Sequence, residues 1–375
     1  MNTTAFRRTI ESYAPGARTM PREIYTAPEI FALERERIFA RNWNLVGRSS
    51  SLPSPGDYML REVAGESLII TRSRDGQLRA FFNVCRHRGT RICMEHQGSF
   101  SETIQCPYHA WTWTTEGRLI GAPHMHDVPD FDKSSFPLHQ AALAEADGFI
   151  FVNIADDAES FDHWYAPLQP RFARFNLPAL KVGHSVKYDV HANWKLVFQN
   201  YSECLHCPSI HPELSLVLPY QSGANDLIEG QFLGGYMEIR APHASATMSG
   251  RACGRVVSDD LDDADRKRAY YYSMMPNMLL SIHPDYVNYY ILTPVAADRT
   301  LVESEWLFHP ENEGQPSFQP QDAIEFWDRT NRQDWDIVER SQLGISSRRY
   351  EPGPYSPRES IPAAWDREYG RMMGL

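Results

Sequence analysis

The chain reads as α+β in two parts. The N-terminal half is an antiparallel β domain with metal-ligand loops at one end. The C-terminal part is an α+β domain of antiparallel sheet and helices. Three observations predict this. Apolar residues take a period near two from Asp57 onwards, broken by turn signals. Cys and His arrive as two short pairs inside that region. Beyond residue 156, strand-like runs mix with two stretches of helical period.

Size and charge set the limits. With 375 residues and 42% hydrophobic content, the chain can bury two modest cores. A net charge of −11 leaves no basic face for nucleic acid, though it suits a basic redox partner. No apolar run approaches eighteen residues, so no membrane span is expected. The N-terminus lacks the apolar segment of a signal peptide. Outside the two pairs, Cys93, Cys204, Cys207 and Cys253 suggest no disulfide framework, and a cytoplasmic location is expected.

The elements follow in order. The first twenty or so residues are expected to run over the surface. Thr26 can cap a helix with Pro28 in its first turn and Glu29 as capping-box partner, ending near Ala40. Residues 1–43 form a helical segment packing on the second domain. The β domain, 44–155, has strands at Tyr58-Met59-Leu60, Ser67-Leu68-Ile69-Ile70-Thr71 and Leu78-Arg79-Ala80-Phe81-Phe82-Asn83-Val84. Asp75-Gly76 is a hairpin turn. Trp111-Thr112-Trp113 is a further strand, and Gly148-Phe149-Ile150-Phe151-Val152-Asn153-Ile154 closes the domain.

The second domain, 156–375, opens with a strand at Val186-Lys187-Tyr188-Asp189-Val190. A long helix from Asn193 carries Asn200, Glu203 and His206. Strands follow near Tyr236, Leu280, Tyr289 and Trp306. A long helix runs from Pro320 to about Gly344, and a Pro-rich arm ends in a short helix.

Cys85-Arg86-His87 and Cys106-Pro107-Tyr108-His109 are C-x-H and C-x-x-H, eighteen residues apart. Each pair fits one loop tip, so two tips can close on one centre. A tetrahedral zinc would take all four residues. A Rieske [2Fe–2S] cluster would take two Cys on one iron and two His on the other. The same Cys-then-His order in both pairs suits the cluster.

A second constellation lies further on. His206 and His211 are five apart with Pro208 between them, a spacing that a Pro-broken turn can close. Two His and one carboxylate make a facial triad for non-haem Fe(II) with open positions for O2. Asp334 and Asp336, both on the late helix, are the candidate carboxylates.

Cys85-Arg86-His87-Arg88-Gly89, Cys106-Pro107-Tyr108-His109-Ala110-Trp111 and the run from Asn200 to Pro212 resemble the motifs of Rieske non-haem iron oxygenase α subunits. The resemblance covers nearly the whole chain, with the motifs in the family's order. It implies that Cys85, His87, Cys106 and His109 hold a [2Fe–2S] cluster. It implies that His206, His211 and Asp334 hold mononuclear Fe(II). It further implies a ring, usually a homotrimer, in which Glu203 links an iron-side His to a cluster-side His of the next subunit. Asn200 is expected to order water near the iron. Many relatives have Gly at Ala110, Glu at Gln199 and, among aromatic-ring dioxygenases, Asp at Glu203. No G-x-G-x-x-G fingerprint is present, so a separate NAD(P)H-dependent flavin and iron–sulfur reductase is the expected electron source.

Substrate class is the least specified reading. The run Glu203-Cys204-Leu205-His206-Cys207, the stretch Met275-Pro276-Asn277-Met278-Leu279-Leu280-Ser281-Ile282-His283 and the tail Ser346-Ser347-Arg348-Arg349-Tyr350 are similar to carnitine, choline and glycine-betaine type oxygenases. That likeness implies monooxygenation beside a quaternary or tertiary nitrogen, with N-demethylation. An aromatic-ring hydroxylase and an electron carrier without oxygenase activity are the alternatives.

Overall fold

The period-two stretches become antiparallel strands. The computed structural model describes residues 6–375. Two units emerge: Phe39–His163, and the chain up to Ile38 joined to Trp164–Leu375. In the first, one sheet runs Asn44–Arg48, Phe149–Asn153, Gln140–Ala146, Leu78–Phe82, Glu66–Arg72, Asp57–Val63, Gln97–Ser99. A smaller sheet joins Thr103–Gln105, Thr112–Thr114 and Leu119–Gly121. At the expected hairpin, Ser73 N–H is donated by the chain's own backbone to Gln77 C=O at 2.9 Å, and Gly76 takes φ +83°. That left-handed conformation costs glycine nothing sterically.

Successive strand residues face opposite ways, so one strand serves two cores. Leu68 and Ile70 pack with Val46, Met59 and Val152. Ile69 packs with Phe81, Ile104 and Trp113, in the same core as Cys85 and Cys106. The metal loops therefore rest on a packed floor.

In the second unit, the sheet order among the described residues is Arg7–Arg8, Ala224–Leu227, Phe232–Glu238, Arg268–Met274, Met278–Ile282, Val287–Ala296, Arg299–Phe308, Lys181–Val190. The N-terminal stretch, expected on the surface, is indeed exposed at Arg7–Arg8, yet it adds an edge strand there. The Pro320–Ile345 helix buries Phe326, Trp327, Trp335 and Val338. No helix among the described residues is long and apolar enough to cross a membrane.

Three local expectations need correction. The single helix from Thr26 to about Ala40 is three pieces: Arg22–Thr26, Pro28–Glu34 and a wider π-type turn over Arg35–Phe39. Thr26 does not cap. Its hydroxyl donates to Arg22 C=O at 3.1 Å, and Ala27 is the N-cap. The helix from Asn193 covers only Trp194–Tyr201, with Asn193 Oδ1 accepting Lys195 N–H at 3.0 Å. Ser202 ends it by donating its hydroxyl to Phe198 C=O at 2.6 Å, so Glu203 and His206 lie beyond it. The terminal helix is not short: it spans Ser360–Met373.

Three helices meet at a buried ion pair. Lys195 Nζ lies 2.5 Å from Glu34 Oε1, and both side chains are 0% exposed. Glu34 also accepts from Trp194 Nε1 at 2.8 Å and from the Tyr369 hydroxyl at 2.6 Å. The arm before the last helix is tied to the N-terminal segment. Tyr355 N–H donates to Ala17 C=O at 3.0 Å, and the Ser360 hydroxyl to Thr9 C=O at 2.7 Å.

Candidate metal centres and active site

Two matching loop tips carry the first centre. Gly89 N–H donates to Cys85 C=O at 3.0 Å, and Ala110 N–H to Cys106 C=O at 3.1 Å. Both closing residues take positive φ, +76° at Gly89 and +56° at Ala110. An alanine pays a steric cost there that glycine avoids, which gives physical content to the sequence difference at residue 110. The Cys85 and Cys106 thiols are buried, and burial together with the neighbouring Cys106 raises the Cys85 thiol above its usual value. The His87 and His109 rings lie 4.8 Å apart, and His87 stacks on Trp111 at 4.9 Å. His87 Nδ1 is buried with no hydrogen-bond partner. Two buried thiols and two adjacent imidazoles, one with an orphaned ring nitrogen, fit a cluster with Cys2His2 ligands.

The second centre is built on a turn and a long helix. After Tyr201 the chain reverses through 202–206 into the one-turn helix Cys207–Ile210, where His211 N–H donates to Cys207 C=O at 2.8 Å. Pro208 at the start of that turn lacks only a donor the turn does not need. The His206 and His211 rings come 5.2 Å apart. Asp334, from the Pro320–Ile345 helix, sets Oδ1 at 2.8 Å from His211 Nε2 and 3.3 Å from His206 Nε2. This brings His206, His211 and Asp334 together, with the donor set and convergence that suit a 2-His-1-carboxylate metal. Asp336 is elsewhere, exposed and paired with Arg340 at 2.8 Å.

Each imidazole has an outer partner. Glu203 Oε1 lies 2.5 Å from His206 Nδ1, and Gln333 Oε1 lies 2.8 Å from His211 Nδ1. Burial works against a charge on His206, but Asp334 and Glu203 outweigh it and push its pKa up to about 10. Burial likewise opposes the Asp334 carboxylate, yet hydrogen bonds from both His hold it below its usual value. Asn200 Nδ2 reaches to 3.5 Å from His206 Nε2. Gln199 faces away, donating to Asp366 Oδ1 at 2.6 Å, so no ionic role arises at that position.

Sequence reasoning missed Gln333, although its place beside Asp334 could have raised it. It also missed that Cys204 and Cys207 form a disulfide around His206. That pairing corrects the expectation that no cysteines are bridged. The Sγ of Cys207 lies within 4.8 Å of ligand atoms of both His, but it is committed to Cys204. Cys85, Cys93, Cys106 and Cys253 remain free thiols.

A cavity partly open to solvent adjoins the triad. Tyr201, Tyr236, Tyr271 and Trp327 contribute aromatic wall. Of the tyrosines on the central strands, Tyr270, Tyr272, Tyr289 and Tyr290 are instead packed in the core.

The comparisons agree with this geometry. Residues 42–132 match the Rieske [2Fe-2S] domain, which sets aside the zinc reading. Residues 177–375 match the ring hydroxylating alpha subunit (catalytic domain), which sets aside a bare electron carrier. The glycine betaine monooxygenase oxygenase subunit of Chromohalobacter salexigens is 31% identical over 91% of this chain and 82% of its own length. The carnitine monooxygenase oxygenase subunit of Acinetobacter baumannii is 32% identical over 88% and 86%. A solved quaternary ammonium Rieske monooxygenase, described in terms of carnitine oxidation and inter-subunit electron transfer, superposes with a TM-score of 0.82. It is 26% identical, over 99% of this chain and 100% of its own. The α+β architecture, the two kinds of centre and these likenesses converge: the chain belongs to the Rieske non-haem iron oxygenases, oxidoreductases whose cofactors are a [2Fe–2S] cluster and a mononuclear iron.

Proposed function

We propose that this chain is a terminal oxygenase component that hydroxylates a C–H beside the nitrogen of a quaternary or tertiary amine. An N-methyl substrate would then lose formaldehyde. The observation that carries this reading is the aromatic cavity, in which Tyr271 and Trp327 share a wall with His206, His211 and Asp334. Aromatic faces attract quaternary ammonium ions, by about 2 kcal/mol when the cation is desolvated. The glycine betaine and carnitine relatives support it.

Cys85, His87, Cys106 and His109 would hold the cluster, and His206, His211 and Asp334 the iron. When bound, the cluster passes single electrons and the iron activates O2. The protein's own work is positional. Glu203 accepts the Nδ1 proton of His206, fixing its tautomer and turning Nε2 towards Asp334. Gln333 does the same for His211. Asn200, whose Nδ2 lies 3.5 Å from His206 Nε2, would order water there.

The electron source in this reading is a separate NAD(P)H-dependent flavin and iron–sulfur reductase, and the setting is the cytoplasm. A homotrimeric ring would let Glu203 also accept from His109 of the partner subunit. The Glu203–His206 pair and the related structure described for inter-subunit electron transfer support that path. Glu203→Gln is expected to retain both centres while slowing single-turnover oxidation of the cluster by roughly 10- to 100-fold. Unslowed oxidation would remove Glu203 from the path.

The test is turnover by the purified holoenzyme with a surrogate reductase, NADH and O2, offered glycine betaine, carnitine, choline and several arenes. Formaldehyde from a trimethylammonium compound is the expected product. A phenol or cis-diol without formaldehyde would make the chain an aromatic-ring hydroxylase instead.

A further inference from the structure

The cavity lining carries both signs of charge. Its metal end carries the carboxylates of Asp334 and Glu203. Elsewhere on its wall lies Arg358, the one Lys or Arg side chain among the lining residues described. Arg358 sits in the short turn Pro357–Glu359, which is fixed by a capping box: Ser356 accepts Arg358 N–H at 3.3 Å, and Glu359 accepts Ser356 N–H at 2.8 Å. The guanidinium stacks over the Tyr220 ring at 5.1 Å. Among the described residues no carboxylate pairs with it, and its contacts are the Tyr220 ring and the backbone N–H bond to Ser356. The lining also includes the Tyr271 hydroxyl, buried and without a hydrogen-bond partner.

A planar guanidinium with free N–H groups recognises a carboxylate through paired, charge-assisted hydrogen bonds. A cation is repelled by that group and drawn instead to aromatic faces and to the carboxylates beside the two His. A lining with both groups can take both charges of a zwitterion.

We propose that Arg358 is the carboxylate anchor of this cavity, so that the substrates are small betaines carrying both a quaternary ammonium and a carboxylate. This rests on the amine-oxygenase reading and narrows it. Arg358 acts as a specificity residue: it sets which amines bind and leaves the reacting carbon to the metal end. An amine that lacks the carboxylate, such as choline, gains nothing from it.

The experiment uses holoenzyme with the surrogate reductase and two probes, glycine betaine and choline. It compares the native protein with Arg358→Gln and Arg358→Lys. Steady-state KM and kcat are read beside calorimetric binding. Arg358→Gln is expected to raise the KM and Kd for glycine betaine by roughly 10- to 100-fold, with kcat changed by less than about threefold. The choline values should move far less, and Arg358→Lys should recover part of the loss. Unchanged glycine betaine binding in Arg358→Gln overturns the anchor, as does an equal loss for both probes, which marks a structural role. In either case formaldehyde release by the native protein still upholds the amine-oxygenase reading. Native protein that neither binds nor turns over either probe overturns that reading, and the anchor with it.

Discussion

Asp334→Ala is expected to lose the catalytic iron and keep the cluster. The visible absorption of the [2Fe–2S] centre should be unchanged, since that centre belongs to the other unit of the chain. Iron per chain should fall by the share of one ion, and product formation by more than about 100-fold. That exceeds the 10- to 100-fold typical of losing a partner outside the ligand set. The reason is convergence. Asp334 is the one carboxylate that the long helix brings to 2.8 Å and 3.3 Å from the two imidazoles. Removing it leaves two imidazole donors and no charged ligand to hold the metal. Asp336→Ala is the control, because its carboxylate faces Arg340 and solvent. If Asp336→Ala lost iron and Asp334→Ala did not, the triad would have to be rebuilt around the other residue.

Lys195→Met is expected to destabilise the protein by about 3–5 kcal/mol, the usual result of stripping one member from a buried ion pair. Glu34 would keep its charge, fully enclosed, with only the Trp194 and Tyr369 donors to face it. Against a total stability of roughly 5–15 kcal/mol, that loss is severe. Urea unfolding followed by tryptophan fluorescence measures it. The double variant Lys195→Met with Glu34→Gln should recover most of the loss, because the amide oxygen still accepts from Trp194 and Tyr369 without leaving an unpaired charge. A single variant as stable as the native protein would show that the pair is not held as described.

The legible parts of the sequence were those in which one residue type has one use. The Cys–His pairs, the Asp75-Gly76 turn and the period-two runs around Ile69 all stand out from their neighbours. Asp334 was separable from Asp336 only through family likeness, because the two point to nearly opposite faces of the helix and periodicity alone did not say which face meets the site. Four features escaped for physical reasons. Gln97–Ser99 is a strand with every residue exposed, so no burial imprints a pattern on it. The break at Ser202 depends on a hydroxyl competing for Phe198 C=O, a choice local periodicity does not encode. Lys195 sits among apolar residues, and only its partner Glu34, 161 positions away, makes its burial affordable. The Cys204–Cys207 disulfide escaped because a few scattered cysteines set no framework of pairs and a reducing compartment was expected.

The chain connectivity sets an order of events on the ribosome. Phe39–His163 is an insertion in a unit that begins before it and ends at Leu375. The cluster-bearing unit is thus fully synthesised while the surrounding unit is still incomplete. Asp334 emerges roughly 10–30 s later at typical bacterial and eukaryotic rates of about 5–20 residues per second. The edge strand at Arg7–Arg8 waits longer still for its pairing partner at Ala224–Asn225. Nascent chains can therefore acquire the first centre before the second exists, and a chain truncated late in translation would carry electrons with nowhere to deliver them.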